Sequence, residues 1–132
     1  MTMSDPIADM LTRIRNAGKA GFDKVDIPGS KLKLELVRVL KEQGYVRDFK
    51  YFEEKYKKTI RVYLKHVSEG VPTIFGIKRI SKPSRRVYSK AKQIQPVLNG
   101  LGVSVISTSK GVMTDKQARE ANLGGEILFN IW

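Results

Sequence analysis

The stretch ISTSKGVMTDKQARE, residues 106–120, holds the end of one element, a polar loop and the start of another. Just before it, Val103 and Val105 alternate with Ser104 and Ile106, the period of a strand that runs straight into Ser107-Thr108-Ser109-Lys110-Gly111. Thr114 and Gln117 then have the spacing of a capping box, in which the hydroxyl takes a helical N–H and the amide reaches back. This spacing predicts a short helix over Asp115 to Ala121, ended by Gly124-Gly125. A closing strand follows from Glu126 to Trp132, with Ile127, Phe129 and Ile131 on one face. Strand, short helix and strand in so little chain describe a small α+β unit.

Upstream of that segment, Gln93 to Asn99 reads as a short helix with Pro96 early and Gly100 after it. Thr73 to Ile80 and Arg86 to Ser89 read as strands around the turn Lys82-Pro83-Ser84. Ser68 to Pro72 is the one clear linker and divides the chain into a lobe at 1–69 and a lobe at 70–132. The first lobe reads α-β-α-β-β. Ser4-Asp5-Pro6 opens a helix with Ile7, Met10, Leu11 and Ile14 on one face, and Lys24 to Ile27 is a short strand. Ser30 opens a second helix marked by Leu32, Leu36 and Leu40 and ended by Gly44. Tyr45 to Phe52 and Thr59 to Val67 make a hairpin turning around Glu53 to Lys58. The expected architecture is α+β in two small lobes, the C-terminal one mainly antiparallel β with short helices.

Lys plus Arg number 25 against 13 Asp plus Glu, a formal charge of +12, and so point to a polyanionic partner. The distribution is sharper than the total. The first half mixes both signs, whereas Val71 to Thr114 contains no acid at all and carries Lys78, Arg79, Lys82, Arg85, Arg86, Lys90, Lys92 and Lys110. A solvated face interleaves its charges; an uninterrupted polycation fits phosphate.

Other chemistries lack their parts. There is no cysteine and one histidine, His66, so thiolate catalysis and the usual zinc sets are excluded, and the pair Glu53-Glu54 falls in a turn. Lys110-Gly111 reverses the order a P-loop needs, and Gly100-Leu101-Gly102 lacks the third glycine of a dinucleotide fingerprint. No cofactor, metal, small-molecule substrate or membrane partner is expected. Asp5 and Asp9 stand where a signal peptide needs basic residues, so a cytoplasmic location is expected. The hydroxyls of Ser107, Thr108 and Ser109, with Lys110 and Gly111, can meet a ribose 2′-OH, a base edge or a phosphate without filling the space of a base. Tyr88, between Arg86 and Lys90, can stack on an unpaired base or pack in the sheet. Lys82, Arg86 and Lys92 are candidate phosphate contacts. The charge alone also permits a non-specific DNA- or duplex-binding protein.

SDPIADMLTRIRNA at the start, RISKPSRRVYSK in the middle and ISTSKGVMTDKQAREANLGGEILFNIW at the end resemble bacterial small-subunit ribosomal protein eight along the whole chain. The resemblance implies a non-enzymatic constituent of the small ribosomal subunit that binds the central domain of its RNA and helps organise the platform. It also implies repression of its own operon messenger RNA, and proteins five and twelve of the subunit as neighbours. By similarity, Ser107, Thr108, Ser109 and Gly111 enter an irregular part of the RNA helix, with Tyr88 beside them and Gly124, Gly125 and Glu126 shaping the same surface. Ser4, Asp5 and Lys31 make secondary contacts from the first lobe. Ser84-Arg85 stands where the family often has Gly-Leu, which touches the turn after Lys82-Pro83.

Overall fold

Helix starts and stops organise this chain, a computed structural model of which describes residues 5–68 and 71–132. Ser4 lies outside those residues. Asp5 caps α1 (Pro6–Lys19), its carboxylate accepting from the Ile7 and Ala8 N–H groups at 3.2 Å. Ser30 caps α2 (Lys31–Glu42) through Lys33 N–H, and Thr114 with Gln117 forms the expected capping box on α3 (Asp115–Glu120). All three helices end alike: a residue with positive φ (Gly21, Gly44, Asn122) is followed by an N–H that closes back on the last turn. The third terminator is therefore Asn122, not Gly124-Gly125, because asparagine tolerates the left-handed conformation there.

The first compact unit runs to Ile74 and the second begins at Phe75. In the first, β1 (Lys24–Pro28), β2 (Val46–Glu54) and β3 (Lys57–Leu64) form an antiparallel sheet ordered β1-β3-β2. Ile60, Val62 and Leu64 alternate inward and are buried with Ile27 and Val46. The α1 stripe of Ile7, Met10, Leu11 and Ile14 is also buried. In α2 the inward face is Lys33, Leu36, Val37 and Leu40, while Leu32 is 40% exposed. Lys33 takes the inward place because its ammonium donates to the Pro28 carbonyl at 3.1 Å while its stem lies in the core. The β2–β3 turn is tighter than 53–58, closing over Lys55-Tyr56 with Glu53 opposite Lys58 and Glu54 opposite Lys57. Beyond Lys65, β4 (His66–Ser68) pairs with β5 (Val71–Pro72), so the sequence expected as linker carries a short ladder. His66 is half-buried, with Nε2 3.2 Å from the Phe22 carbonyl oxygen.

The second unit is a five-stranded antiparallel sheet built from β6 (Ile77–Arg79), β7 (Tyr88–Ser89), β8 (Val103–Thr108), β9 (Gly111–Thr114) and β10 (Gly125–Ile131). Strand β10 is central, with β8 and then β9 on one edge and β6 and β7 on the other. The two strands expected over 73–80 and 86–89 are thus shorter than predicted. Lys82 and Arg85 exchange two backbone hydrogen bonds of 3.0 Å, so Pro83-Ser84 closes a tight turn with no glycine.

No α-helix forms over 93–99. Single 3₁₀ turns occupy Ala91–Gln93 and Val97–Gly100, because Pro96 forces the preceding residue out of helical space and is itself extended. Leu98 (φ 49°) and Asn99 (φ 56°) are then left-handed, at roughly 1–2 kcal/mol for a side chain such as leucine. Ile127 also parts from Phe129 and Ile131. An extra residue, Leu128, bulges between the Ile127–Ile106 and Phe129–Val105 pairs, and this reverses the face. Ile127 consequently packs with Ile106, Met113, Ile94 and Ala118 of α3, whereas Phe129 and Ile131 lie on the opposite face, both fully buried.

Candidate nucleic-acid interface

The loop over 107–111 is a hairpin rather than an open loop. Strands β8 and β9 pair Ser107 with Val112 and Thr108 with Gly111, so only Ser109 and Lys110 form the turn. Thr108 is spent on that turn: its Oγ1 donates to the Gly111 carbonyl at 2.8 Å and accepts from the Lys110 N–H at 3.1 Å. Gly111 sits at φ +110°, which an L side chain rarely adopts. Among the described residues the Ser107 and Ser109 hydroxyls and the Lys110 ammonium meet no partner, and Ser109 and Lys110 are exposed.

Register carries this hairpin into a wider surface. Glu126 of β10 lies opposite both Ser107 of β8 and Tyr88 of β7, and Gly125 lies opposite both Thr108 and Ser89. Directly opposed residues share a face, so Tyr88, Glu126 and Ser107 stand in one row. The glycines permit the approach. A methyl group on Gly125 would lie 2.1 Å from the Ser107 carbonyl oxygen, and one on Gly124 would lie 2.5 Å from that of Ser89. Gly124 and Gly125 therefore shape this surface by packing.

Glu126 supports its neighbours. Its carboxylate accepts from the fully buried Ser81 hydroxyl and from Arg86 at 3.0 Å, while Ser81 Oγ accepts from Val87 N–H at 3.1 Å. This fixes the chain just before Tyr88, a residue that is 69% exposed. No sequence signal ties Ser81 to Glu126, 45 positions apart; only the fold brings them together. Lys82, Arg85, Arg86, Lys90, Lys92 and Lys110 are all exposed. Beside the hairpin, Ser89, Lys90, Lys92, Gln93, Asn122 and Gly124 line an open concavity of about 570 Å³. Gln93 and Asn122 were not among the sequence candidates, and their amides add donors and acceptors to a cationic rim.

The first-unit candidates Asp5 and Lys31 sit at the starts of α1 and α2. The α1 amides of Ile7 and Ala8 are taken by Asp5 itself, so that terminus is not open to an anion; Lys31 is exposed. Among the described residues no three metal-ligating side chains come together, and no helix is long and apolar enough to cross a membrane.

A small α+β protein with an exposed cationic hairpin edge is the class of molecule that the fold and the site define. Residues 5–132 match the family described as Ribosomal protein S8, and the chain belongs to that non-enzymatic family. It is 52% identical over 132 residues to small ribosomal subunit protein uS8 of Halothermothrix orenii, covering 100% of both chains. It is 54% identical, with the same full coverage, to the proteins of that name from Brevibacillus brevis and Clostridioides difficile.

Proposed function

We propose that this chain is a constituent of the small ribosomal subunit whose second unit grips the central domain of the subunit RNA by the β7–β10–β8–β9 edge. The observation that carries the reading is the register: one row holds an exposed aromatic, a buttressing carboxylate and a free hydroxyl, and exposed lysines and arginines flank it. Phosphate neutralisation by Lys82, Arg86, Lys92 and Lys110 supplies most of the affinity, and Ser107, Ser109 and Tyr88 read the irregular RNA. The family membership and the names of the relatives support the assignment to the subunit. Asp5 and Lys31, with Ser4, make secondary contacts, and proteins five and twelve are neighbours in the platform. The same edge recognises the operon messenger RNA when that RNA reproduces the ribosomal fold.

Footprinting on complete small-subunit RNA tests this. Protection confined to one irregular helix of the central domain is expected, with log K falling by roughly 0.9 per phosphate contacted per decade of salt on duplex parts. DNA of equal length competing as well as RNA would return the protein to the non-specific duplex-binding class.

A further inference from the structure

Strain and open space meet at one turn of the second unit. Leu98 (φ 49°), Asn99 (φ 56°) and Gly100 (φ 93°) are successive left-handed residues, a conformation that only glycine adopts without cost. Two hydrogen bonds close the turn: Leu101 N–H donates to the Leu98 carbonyl at 3.1 Å, and Gly102 N–H to that of Val97 at 3.0 Å. Asn99 and Gly100 are both exposed. A methyl group added to Gly100 would meet nothing within 4 Å, whereas one on Gly102 would lie 2.7 Å from Val97 and 2.8 Å from the Ile131 carbonyl oxygen.

Asn99-Gly100 is also a reactive pair. An asparagine carboxamide lies one ring closure from the next backbone nitrogen, and a glycine there leaves that nitrogen unshielded. The asparagines of this chain are Asn16, Asn99, Asn122 and Asn130, and only Asn99 is followed by glycine. The others are held. Asn16 lies inside α1 and Asn130 inside β10. Asn122 is the closest comparison, since it shares φ 56° with Asn99. Its successor, however, is Leu123, whose N–H is tied to the Ala118 carbonyl at 2.9 Å.

We propose that Asn99 is a self-modification site, converting to aspartyl and isoaspartyl products through a succinimide. The Gly100 nitrogen attacks Asn99 Cγ: the N–Cγ bond forms, the Cγ–Nδ2 bond breaks, and ammonia leaves with the proton that Gly100 gives up. Water then opens the ring. Cleavage at Cγ gives aspartate, and cleavage at the backbone carbonyl carbon gives isoaspartate, whose main chain runs through the former side chain. At ψ 33° the Gly100 nitrogen points away from Cγ, so the peptide after Asn99 must first turn over. The freedom of glycine and the strain held at Leu98 ease that rotation.

Either product puts a carboxylate into residues 93–109, which carry no charged side chain, and lowers the formal charge of +12 by one. Isoaspartate also adds a main-chain atom between Leu98 and Leu101, across which the turn closes, so it unties that hydrogen bond. The reaction needs only water and does not depend on what the hairpin binds.

The full chain is aged in mildly acidic and mildly alkaline buffer, then digested with trypsin, which releases Asn99 in the peptide Gln93–Lys110. An unaged sample digested alongside sets the zero. Mass spectrometry should find a one-dalton gain in this peptide at least about tenfold faster than in those carrying Asn16, Asn122 or Asn130, because groups held by structure react only through opening. The rate should rise with pH, since the nitrogen attacks as its anion, and the aged chain should elute earlier from a cation exchanger. Asn99→Gln, which would need a larger ring, should abolish the gain. Reaction at Asn99 no faster than at Asn122, or only after the chain is unfolded in urea, would overturn the proposal. So would an undiminished gain in Asn99→Gln, which would locate the chemistry at Gln93 or Gln95.

Discussion

Two hairpins in this protein each close over two residues and offer opposite surfaces. The β2–β3 hairpin closes over Lys55-Tyr56, and its charges answer one another: Glu53 faces Lys58, Glu54 faces Lys57, and Lys55 stacks 5.4 Å over the Tyr56 ring. The β8–β9 hairpin closes over Ser109-Lys110 with no acid opposite. Only Thr108 is used internally, which leaves Ser107, Ser109 and Lys110 for something outside the chain. A polar turn becomes an interface when its donors and charges are not consumed by its own strands.

The largest test of this contrast attacks the support of the second hairpin. Gly125→Val places a side chain against the Ser107 carbonyl, where backbone occupies the space; a loss of about 3 kcal/mol or more is expected in thermal unfolding, with RNA binding lost alongside. An unchanged melting temperature would mean that β8 and β10 are not so close. Next comes recognition. Ser109→Ala should weaken binding to the ribosomal RNA by about 1 kcal/mol, roughly fivefold, and leave binding to random duplex nearly unchanged, because one hydrogen bond is removed. Lys92→Ala should weaken both alike, and Tyr56→Ala neither; titrations on the two RNAs separate the three, and equal losses for the serine change on both RNAs would deny it a reading role.

Thr108→Val keeps the shape but leaves the Lys110 N–H and Gly111 carbonyl without the hydroxyl. A stability loss near 1 kcal/mol is expected, whereas Thr108→Ser should retain most of the wild-type value in denaturant unfolding. The smallest effect belongs to the first sheet. The Arg61 hydrogen bonds hold Asp26 below its ordinary carboxylate range, so this pair stabilises the fold above the unfolded pKa of 3.8. That contribution fades as pH falls through the lower folded value. Asp26→Asn should therefore melt slightly below wild type near neutrality and converge with it in acid; a constant gap across that range would refute the linkage.

The parts that local chemistry decides were readable from the chain. The capping box at Thr114 and Gln117 and the inward alternation of Ile60, Val62 and Leu64 each rest on near neighbours. What escaped depends on partners far along the chain. Gly124-Gly125 looks like a helix terminator until Ser89 and Ser107 are seen pressed against it, and Asn122 does the terminating. Strand β9 spans only Gly111–Thr114, too short for its alternation to stand out beside a run of hydroxyls. The Ser81–Glu126–Arg86 support needs the fold before any of its members can be linked. Pro96, which reads as an early residue of a helix, acts instead as a breaker.

The bulge at Leu128 has a consequence for how this strand tolerates change. It divides β10 into two stretches whose inside and outside are out of phase, so the end that meets the hairpin and the end that fills the core can be altered without one dictating the other. Removing that single residue would set Ile127 and Phe129 side by side opposite Ile106 and Val105, so the ladder would run unbroken with both faces kept, and the strand would lose only its local bend and the buried Leu128 side chain.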